Sequence, residues 1–295
     1  MTIYKYMVNF LKYSKLYAVI SLTVILTGLF SIGFWGFNYS IDFVGGTNLD
    51  YQFNPIVKQE QVIQIFESNN LEVEESSIQD SRMFIRTKAI DEKQEKEIRE
   101  TIETNLKTNV TVLKTETVGP TIGRELLNKT LIAAGIAILG ILLYIAYAFK
   151  NLNFATAAVV ALMHDILIVV GTYSLINHFF GAELDTLFVT ALLTTMSFSV
   201  HDTIVVFDQI RDYRHRHGAG NIEEYANKAL TETMVRSLNN SFTIIFMLSA
   251  LVLIGGSTIR FFALSLLIGT ITGTYSSPFV ATPVAVWLEK RQKKS

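Results

Sequence analysis

The chain has 295 residues, of which 50% are hydrophobic and 17% are charged, and its mean hydropathy is +0.35. This composition is too apolar for an ordinary soluble domain, and the length excludes a lone membrane anchor. The net charge of −1 gives no basic excess that would indicate nucleic-acid binding. Because the chain has no cysteine, disulfides, thiolate metal sites and cysteine nucleophiles are excluded. The composition therefore predicts an integral membrane protein.

Six segments are apolar over the roughly 20 residues that a membrane-spanning helix requires. They cover residues 16–35, 131–149, 154–176, 186–207, 233–254 and 261–288. A cleaved signal peptide is the alternative interpretation of the first segment, but no cleavage site with small residues follows Trp35. The pattern predicts an α-helical polytopic membrane protein with six transmembrane helices.

Basic residues in the short connecting segments fall almost entirely on one side of the predicted membrane. That side carries Lys5, Lys12, Lys15, Lys150, Arg211, Arg214, Arg216, Lys228, Lys290, Arg291, Lys293 and Lys294. The opposite short segments carry only Lys129 and Arg260. Since short loops rich in lysine and arginine stay in the cytoplasm, we expect a multi-pass inner (plasma) membrane protein with both termini cytoplasmic.

Between the first two spans lies a polar segment, residues 37–127, which we expect outside the cytoplasm. Its hydrophobic periodicity predicts strands at 47–53, 71–78, 82–87 and 109–115, and helices at 57–68 and after the candidate N-cap Asp91. The resulting order β-α-β-β-α-β predicts a small α+β domain of the ferredoxin-like type. No catalytic constellation occurs in the segment, so a binding or lever module is favoured.

The chain is thus expected to divide into three parts. Residues 1–36 hold the cytoplasmic N-terminus and the first span, and residues 37–127 form the extracytoplasmic domain. Residues 128–295 hold the other five spans and a cytoplasmic C-terminus.

Three charged residues fall within the predicted spans, where a charge costs roughly 2.5 kcal/mol or more at the helix centre. Asp165 lies near the middle of the third span, Asp202 in the cytoplasmic half of the fourth, and Arg236 about one turn inside the fifth. Because the fourth and fifth spans are antiparallel, we expect Asp202 and Arg236 at similar depths. A carboxylate paired with a guanidinium in a wet cavity can titrate, which favours a proton relay. A static buried pair and snorkelling of Arg236 are the alternatives.

His164 and His201 each precede one of these aspartates. Adjacent helical positions point about 100° apart, so neither His-Asp pair forms a chelating face, and we predict no metal and no cofactor. A structural or interfacial role is favoured for both histidines, with a proton-relay role for His201 as the alternative. No serine–histidine motif and no phosphate-binding loop occurs in the sequence, so work must come from an ion gradient or a partner.

Small residues mark a packing face and two turns. Gly269 and Gly273 belong to a stripe repeated every four positions in the sixth span, which is typical of closely packed helices. The pair Gly45-Gly46 predicts a tight exit from the first span, and Gly119-Pro120-Thr121-Ile122-Gly123 predicts re-entry into the second. These two turns flank the predicted outer domain and would let it swing as a unit.

Three motifs resemble those of SecF members of the SecD/SecF family, protein-export subunits of the resistance-nodulation-division superfamily. They are Asp42-Phe43-Val44-Gly45-Gly46-Thr47, Val118-Gly119-Pro120-Thr121-Ile122-Gly123 and Asp202-Thr203-Ile204-Val205-Val206-Phe207-Asp208-Gln209-Ile210-Arg211. The resemblance extends over essentially the whole chain. It implies a half-transporter beside the Sec channel, partnered by a SecD-like subunit and by YajC or YidC, and acting on preproteins within membrane lipid.

In that family, proton flow drives outer-domain motions that help preproteins finish crossing. The resemblance maps the family's essential fourth-span aspartate to Asp202 and its fifth-span arginine to Arg236. Asp165 falls in the family's Ala-x-x-His-Asp segment. His201 stands where the family usually has asparagine, Ser197 where glycine is usual, and Gln209 where arginine is common. These departures surround the predicted proton site and leave proton and sodium coupling both open.

We therefore expect a non-enzymatic accessory subunit of the Sec translocase, in which Asp202 takes and releases the proton and Arg236 tunes it. Residues 42–47 and 119–123 would transmit the change to the outer domain. An exporter of lipids or other hydrophobic molecules is an alternative that the small outer domain disfavours. A membrane-embedded hydrolase using Asp165 and Asp202 lacks a supporting motif. In a passive translocon scaffold, Asp202 and Arg236 would only hold helices together.

Overall fold

The computed structural model describes residues 9–149, 151–218 and 220–292. The chain divides into two compact units, a helical unit (Met1–Asn38 and Ala133–Ser295) and an inter-span domain (Tyr39–Ile132). The predicted limits of the outer domain, residues 37–127, stay a prediction, because the units divide the chain by contacts and not by position in a membrane. Four residues counted for the orientation lie outside the described residues: Lys5, Lys150, Lys293 and Lys294.

The described chain consists of long apolar helices and, after the first of them, one short α/β stretch. In chain order the elements are a 3₁₀ turn (Phe10–Tyr13), α1 (Ser14–Trp35), α2 (Ile41–Val44), β1 (Gly46–Asn54), α3 (Gln59–Ser68), β2 (Val73–Gln79), β3 (Arg82–Thr87), α4 (Glu92–Leu106), β4 (Asn109–Val118), α5 (Pro120–Ala148), α6 (Leu152–Phe180), α7 (Thr186–His217), α8 (Ile222–Ile254), α9 (Ser257–Ser276), a π-helical turn (Ser277–Ala281) and α10 (Thr282–Gln292). Counting α9 to α10 as one helix, six helices in the described ranges are long and apolar enough to cross a membrane, which confirms the predicted number of spans.

Polar side chains set where the long helices begin. Asn151, Asp185 and Asn221 precede α6, α7 and α8, and each accepts a hydrogen bond from a backbone N–H in the first turn. Both α7 and α8 extend beyond the spans predicted from hydropathy, through residues paired at i,i+4 such as Asp212 with Arg216. Hydropathy marks only the part of a helix suited to a bilayer, which explains the shorter predicted spans.

The helical unit is built around α6, the most buried of its long helices. This helix packs against α1, α7 and α9, whereas α5 is almost entirely exposed. Close approach between α1 and α6 requires glycine, because a Cβ on Gly28 would lie 2.6 Å from the Cα of Gly171. The π-helical turn contains Pro278 and closes with an i,i+5 hydrogen bond from the N–H of Thr282 to the carbonyl of Ser277.

The inter-span domain is a four-stranded antiparallel sheet in the order β2-β3-β1-β4. Its side chains alternate along β1, where Leu49, Tyr51 and Phe53 are buried against α3 and α4. Asp91 caps α4 in a capping box with Gln94, as its position predicts. The predicted element order β-α-β-β-α-β is confirmed, while its assignment to the ferredoxin-like type stays a prediction.

Candidate functional site

A cluster of four consecutive polar residues, here called the polar hub, lies where α9 meets the π-helical turn. Each member contacts a different helix because successive helical positions point about 100° apart. The pairs are Thr274 with Ser241 of α8 (2.6 Å between hydroxyl oxygens), Tyr275 with Ser21 of α1 (3.0 Å), Ser276 with Asp165 of α6 (2.7 Å) and Ser277 with Thr203 of α7 (2.9 Å). The hub therefore joins four helices through side-chain hydrogen bonds.

Asp165 is a buried carboxylate of the helical unit, and only 4% of its surface is exposed. Its Oδ2 accepts hydrogen bonds from the hydroxyls of Ser276 and Ser199, which belong to α9 and α7. Its Oδ1 lies 2.8 Å from Nδ1 of the neighbouring His164. Such bonds compensate for moving a carboxyl group out of water, and they tie α6 to both neighbours.

Gly269 and Gly273 allow α7 and α9 to approach closely enough for this arrangement. A Cβ at Gly273 would lie 3.1 Å from the Cβ of Ser199, and one at Gly269 would lie 2.3 Å from the Cγ2 of Thr195. Both glycines thus lie at the α7–α9 contact, one turn apart. A side chain at either position would push α7 and α9 apart.

Asp202 is half-buried, and its Oδ2 accepts a hydrogen bond from the hydroxyl of Ser237 on α8. Among the described side chains no ion pair joins Asp202 to Arg236, which is exposed, and the predicted relay role of the two residues stays a prediction. The pairing of Asp202 with Arg236 was expected only because the two residues lie at similar depths along antiparallel spans. Adjacent helical residues point about 100° apart, so Ser237 faces α7 and Arg236 does not.

Two stripes of polar residues, one on α7 and one on α8, lie beside the two aspartates and are here called the polar network. On α7, Ser199 contacts Asp165, and Asp202 follows three residues later on the same side. On α8, Ser237 contacts Asp202, and Ser241 one turn later contacts Thr274 of the hub. The sequence contains a signal for this network that our interpretation missed, namely serines at i,i+4 spacing inside an apolar span.

His201 lies apart from the network. It is exposed and lines a groove of about 430 Å³ between α5 and α7, here called the α5–α7 groove, together with Ser197 and Tyr144. Gln209, another position that departs from the family pattern, does not line this groove. Its side-chain amide donates a hydrogen bond to Glu232 of α8 at 2.6 Å. Within the described ranges no three His, Asp or Glu side chains lie close enough together to hold a metal ion.

The two glycine-containing turns contact each other within the inter-span domain. A Cβ on Gly45 would lie 2.7 Å from the Cα of Pro120, and Gly45 has a positive φ of 81° that favours glycine. A Cβ on Gly123 would lie 2.8 Å from the backbone nitrogen of Gly45 and 3.1 Å from the carbonyl of Phe43. The two predicted hinges are therefore one backbone-to-backbone contact.

The remaining members of these turns are positioned by local structure. Asp42 lies in the first turn of α2, where its N–H donates to the Ser40 hydroxyl at 3.3 Å. Gly46 has a φ of 134°, and its added Cβ would meet the carbonyl of Thr87 at 3.0 Å. Gly119 accepts the N–H of Gly123 at its carbonyl, which closes the first turn of α5.

Sequence reasoning also missed a buried carboxylate on α10. Glu289 is 3% exposed and accepts hydrogen bonds from Asn151, Asn153 and Arg214. It ties α10 to the start of α6 and to the far end of α7. It follows directly after the predicted end of the sixth span at residue 288.

Two family models match the chain. One, described as the SecD/SecF GG motif, matches residues 30–55, and the other, described as protein export membrane protein SecD/SecF, C-terminal, matches residues 98–291. The first range holds the turn around Gly45, and the second holds both aspartates and the polar hub.

Curated relatives are similar over nearly the whole length. Protein translocase subunit SecF of Thermobaculum terrenum is 38% identical over 97% of this chain and 95% of its own length. SecF of Synechocystis is 32% identical over 95% of this chain and 93% of its own length. Protein translocase subunit SecDF of Thermus thermophilus is 34% identical over 88% of this chain, which matches 35% of that longer protein.

Two solved structures have a similar fold. A crystal structure of SecDF, a translocon-associated membrane protein from Thermus thermophilus, superposes with a TM-score of 0.84 at 31% identity and covers 99% of this chain. SecDF in a super-membrane-facing form gives a TM-score of 0.68 at 29% identity over 100% of this chain. The chain spans 40% of each of those longer chains.

Proposed function

The chain belongs to the SecD/SecF family of protein-export membrane proteins, and from that premise we propose that it couples proton flow to the completion of protein export. Its relatives are protein translocase subunits, and its six apolar helices make it a multi-pass membrane protein. The observation that carries the proposal is that residues of four helices, α6 to α9, place polar side chains around Asp165 and Asp202 inside apolar spans.

Asp202 takes and releases the proton in this mechanism. A hydroxyl donates a stronger hydrogen bond to a carboxylate than to a neutral carboxylic acid. Protonation of Asp202 therefore weakens its bond with Ser237, and the contact between α7 and α8 loosens. A rotation of α8 by about 100° then exchanges Ser237 for Arg236 opposite Asp202, where the guanidinium favours release of the proton.

The other polar residues extend this relay on either side of α7. His201 lines the α5–α7 groove and would exchange protons there with water that enters the groove. Asp165 lies on the opposite side, among α6, α7 and α9. Through the shared α7 stripe, a change at one aspartate alters the contacts of the other.

Residues 42–47 and 118–123 transmit the change to the inter-span domain. Because α5 begins at Pro120, a shift of α5 moves the residues that contact Gly45 and Phe43. Their backbones touch without intervening side chains, so the contact cannot absorb the shift by a change of rotamer. The domain then moves with the helix.

A SecD-like subunit completes the transporter in this proposal. The support is that the longer SecDF relative matches this chain over only 35% of its own length. The Sec channel, YajC or YidC and preproteins are the further partners. Both termini lie in the cytoplasm and the inter-span domain lies outside it, since the basic residues fall on the side of the termini.

The test is Asp202→Asn, co-expressed with the SecD-like partner and assayed in inverted vesicles. We expect normal recovery of the complex and loss of gradient-stimulated export, because an amide cannot carry the proton. Asp212→Asn is the matched control, since Asp212 lies on the same helix in an exposed ion pair with Arg216. Unchanged export in Asp202→Asn would make the relay wrong, and failure to assemble would favour the passive scaffold.

A further inference from the structure

His164 is a buried histidine whose ring is held on one side only. Its surface is 7% exposed, and its Nδ1 lies 2.8 Å from Oδ1 of Asp165. Within residues 9–149, 151–218 and 220–292, its Nε2 is the one buried side-chain nitrogen or oxygen without a hydrogen-bond partner. A buried polar atom without a partner is unfavourable, so its presence here calls for an explanation.

We propose that His164 and Asp165 form a second proton-holding couple, loaded through Nε2 of His164, at the crossing of α6, α7 and α9. This inference rests on the proposed function, which it deepens by adding a positioning residue and an entry point for the proton. The couple is separate from Asp202, whose contact is with Ser237 of α8.

The occupied atoms of the couple leave one place for an incoming proton. Oδ1 of Asp165 is engaged by Nδ1 of His164, and Oδ2 is engaged by the hydroxyls of Ser199 and Ser276. A new donor at Oδ1 would compete with the bond to His164, and one at Oδ2 would compete with the bonds that hold α6 to α7 and α9. Nε2 has no such bond, so a proton delivered by water reaches the couple there.

The loading step is a balanced pair of proton transfers. Before loading, the imidazole is neutral with its hydrogen on Nδ1, and Asp165 is a carboxylate. A hydronium ion gives a proton to Nε2 and becomes water, while the Nδ1–H bond breaks and an O–H bond forms at Oδ1. The imidazole ends neutral with its hydrogen on Nε2, Asp165 ends as a carboxylic acid, and the charge of the couple rises from −1 to 0.

The side chains described around His164 and Asp165 on the other helices are those of tyrosines and serines. From α9, Tyr275 faces His164 at 6.2 Å between ring centroids, and Tyr17 of α1 packs behind Tyr275. From α7, the hydroxyl of Ser199 contacts Asp165. Within the described residues, Asp165 is the only ion-pair partner of His164.

Loading has a mechanical consequence at Oδ2. In the carboxylate, Oδ2 accepts charge-assisted hydrogen bonds from both serines, which are roughly twice as strong as neutral ones. In the carboxylic acid it is an uncharged carbonyl oxygen. A single proton at His164 thus weakens the ties of α6 to α7 and to α9 at the same time.

The test measures gradient-driven export by the full chain with its SecD-like partner, in inverted vesicles from about pH 5 to 8. His164→Asn keeps a donor near the position of Nδ1 but cannot titrate, and we expect it to assemble and to lose the dependence on pH in the imidazole range. His164→Gln, whose amide reaches towards the position of Nε2, should lose it as well. His178→Asn is the matched control, because His178 lies on the same helix, exposed and stacked on Trp35.

The outcomes separate this inference from the function on which it rests. A wild-type pH profile in His164→Asn, with export abolished in Asp202→Asn, would overturn the couple and leave the proposed function intact. Gradient-driven export that persists in Asp202→Asn would instead overturn the proposed function.

Infrared spectra of the wild-type complex with ring-labelled histidine decide the matter if the His164 variants do not assemble. The couple requires a protonated-carboxyl band that appears over the same pH range as a change of tautomer in one histidine. If the carboxyl band and the histidine signal titrate independently, the couple is wrong.

Discussion

Glu95 of the inter-span domain and Asp165 of the helical unit are both buried carboxylates, but different donors surround them. In the domain, Glu95 accepts hydrogen bonds from the Tyr51 hydroxyl at 2.8 Å and from the Arg99 guanidinium at 3.2 Å. In the helical unit, Asp165 meets two serine hydroxyls and a histidine, with no guanidinium or ammonium among its described partners.

This difference separates a carboxylate that lies beside a permanent charge from one that lies among hydroxyls and an imidazole. The guanidinium of Arg99 supplies the permanent charge beside Glu95. Burial, and then the hydrogen bond to Glu95, raises the pKa of Tyr51 far above its usual range, so that its hydroxyl stays a donor. The two hydroxyls and the imidazole beside Asp165 carry no such permanent charge, an arrangement that suits the relay proposed above.

The largest expected effect is at Glu95 of the inter-span domain. Glu95→Ala leaves the Tyr51 hydroxyl and the Arg99 guanidinium without their shared partner, and we expect a loss of about 3 kcal/mol in the free energy of unfolding of the domain. Proteolysis of the full chain in detergent, followed across a denaturant series, measures this loss. Glu97→Ala, at an exposed position on the same helix, is the control. Equal protease resistance of the two variants would contradict the structural role of Glu95.

A smaller effect is expected at the contacts of Asp165 in the helical unit. Ser276→Ala removes one donor to Asp165 and should lower thermal stability by roughly 0.6 kcal/mol, the average for interhelical hydrogen bonds in membranes. The same substitution in an Asp165→Asn background should cost less, because an amide is a weaker acceptor than a carboxylate. Melting temperatures of the four proteins give the coupling between the two residues. Strictly additive changes would show that Ser276 acts independently of Asp165.

The smallest effect is expected at a solvent-exposed carboxylate of the domain. The ammonium of Lys88 donates to Glu72 at 2.6 Å and lowers the pKa of that carboxyl below its usual value of 4.5. The pair therefore contributes its stability above that usual value and loses it as the pH falls through the lowered pKa. Since solvent screens the pair, Glu72→Gln should change the melting temperature barely at neutral pH and not at all in acid. A drop comparable to that of Glu95→Ala would mean that exposure does not separate the two sites.

Local patterns in the sequence predicted most of the fold. Apolar length located the six long helices, and alternation located β1 and β3, because both signals need only neighbouring residues. The charged ends of α7 and α8 escaped prediction, since hydropathy stops at the membrane boundary while the helix continues.

The contacts of the site were harder to predict than the fold, because they depend on how each helix is rotated about its own axis. Depth along the spans placed Asp202 and Arg236 at one level, but the faces that α7 and α8 turn to each other decide that Ser237 is the partner. The contact between Gly45 and Gly123 was likewise beyond local patterns, since the two turns are far apart in the chain.

The π-helical turn between α9 and α10 also changes which side chains share a face of the sixth span. A π turn holds one residue more than the α-helical turn it replaces, so every later side chain is displaced in phase by about 100°. A helical wheel drawn without a break from Ser257 to Gln292 would turn Glu289 away from Asn151 and Arg214. Relatives that lack the extra residue should therefore carry their counterpart of Glu289 one position away, and an alignment of the span needs a single-residue gap at Ser277–Ala281.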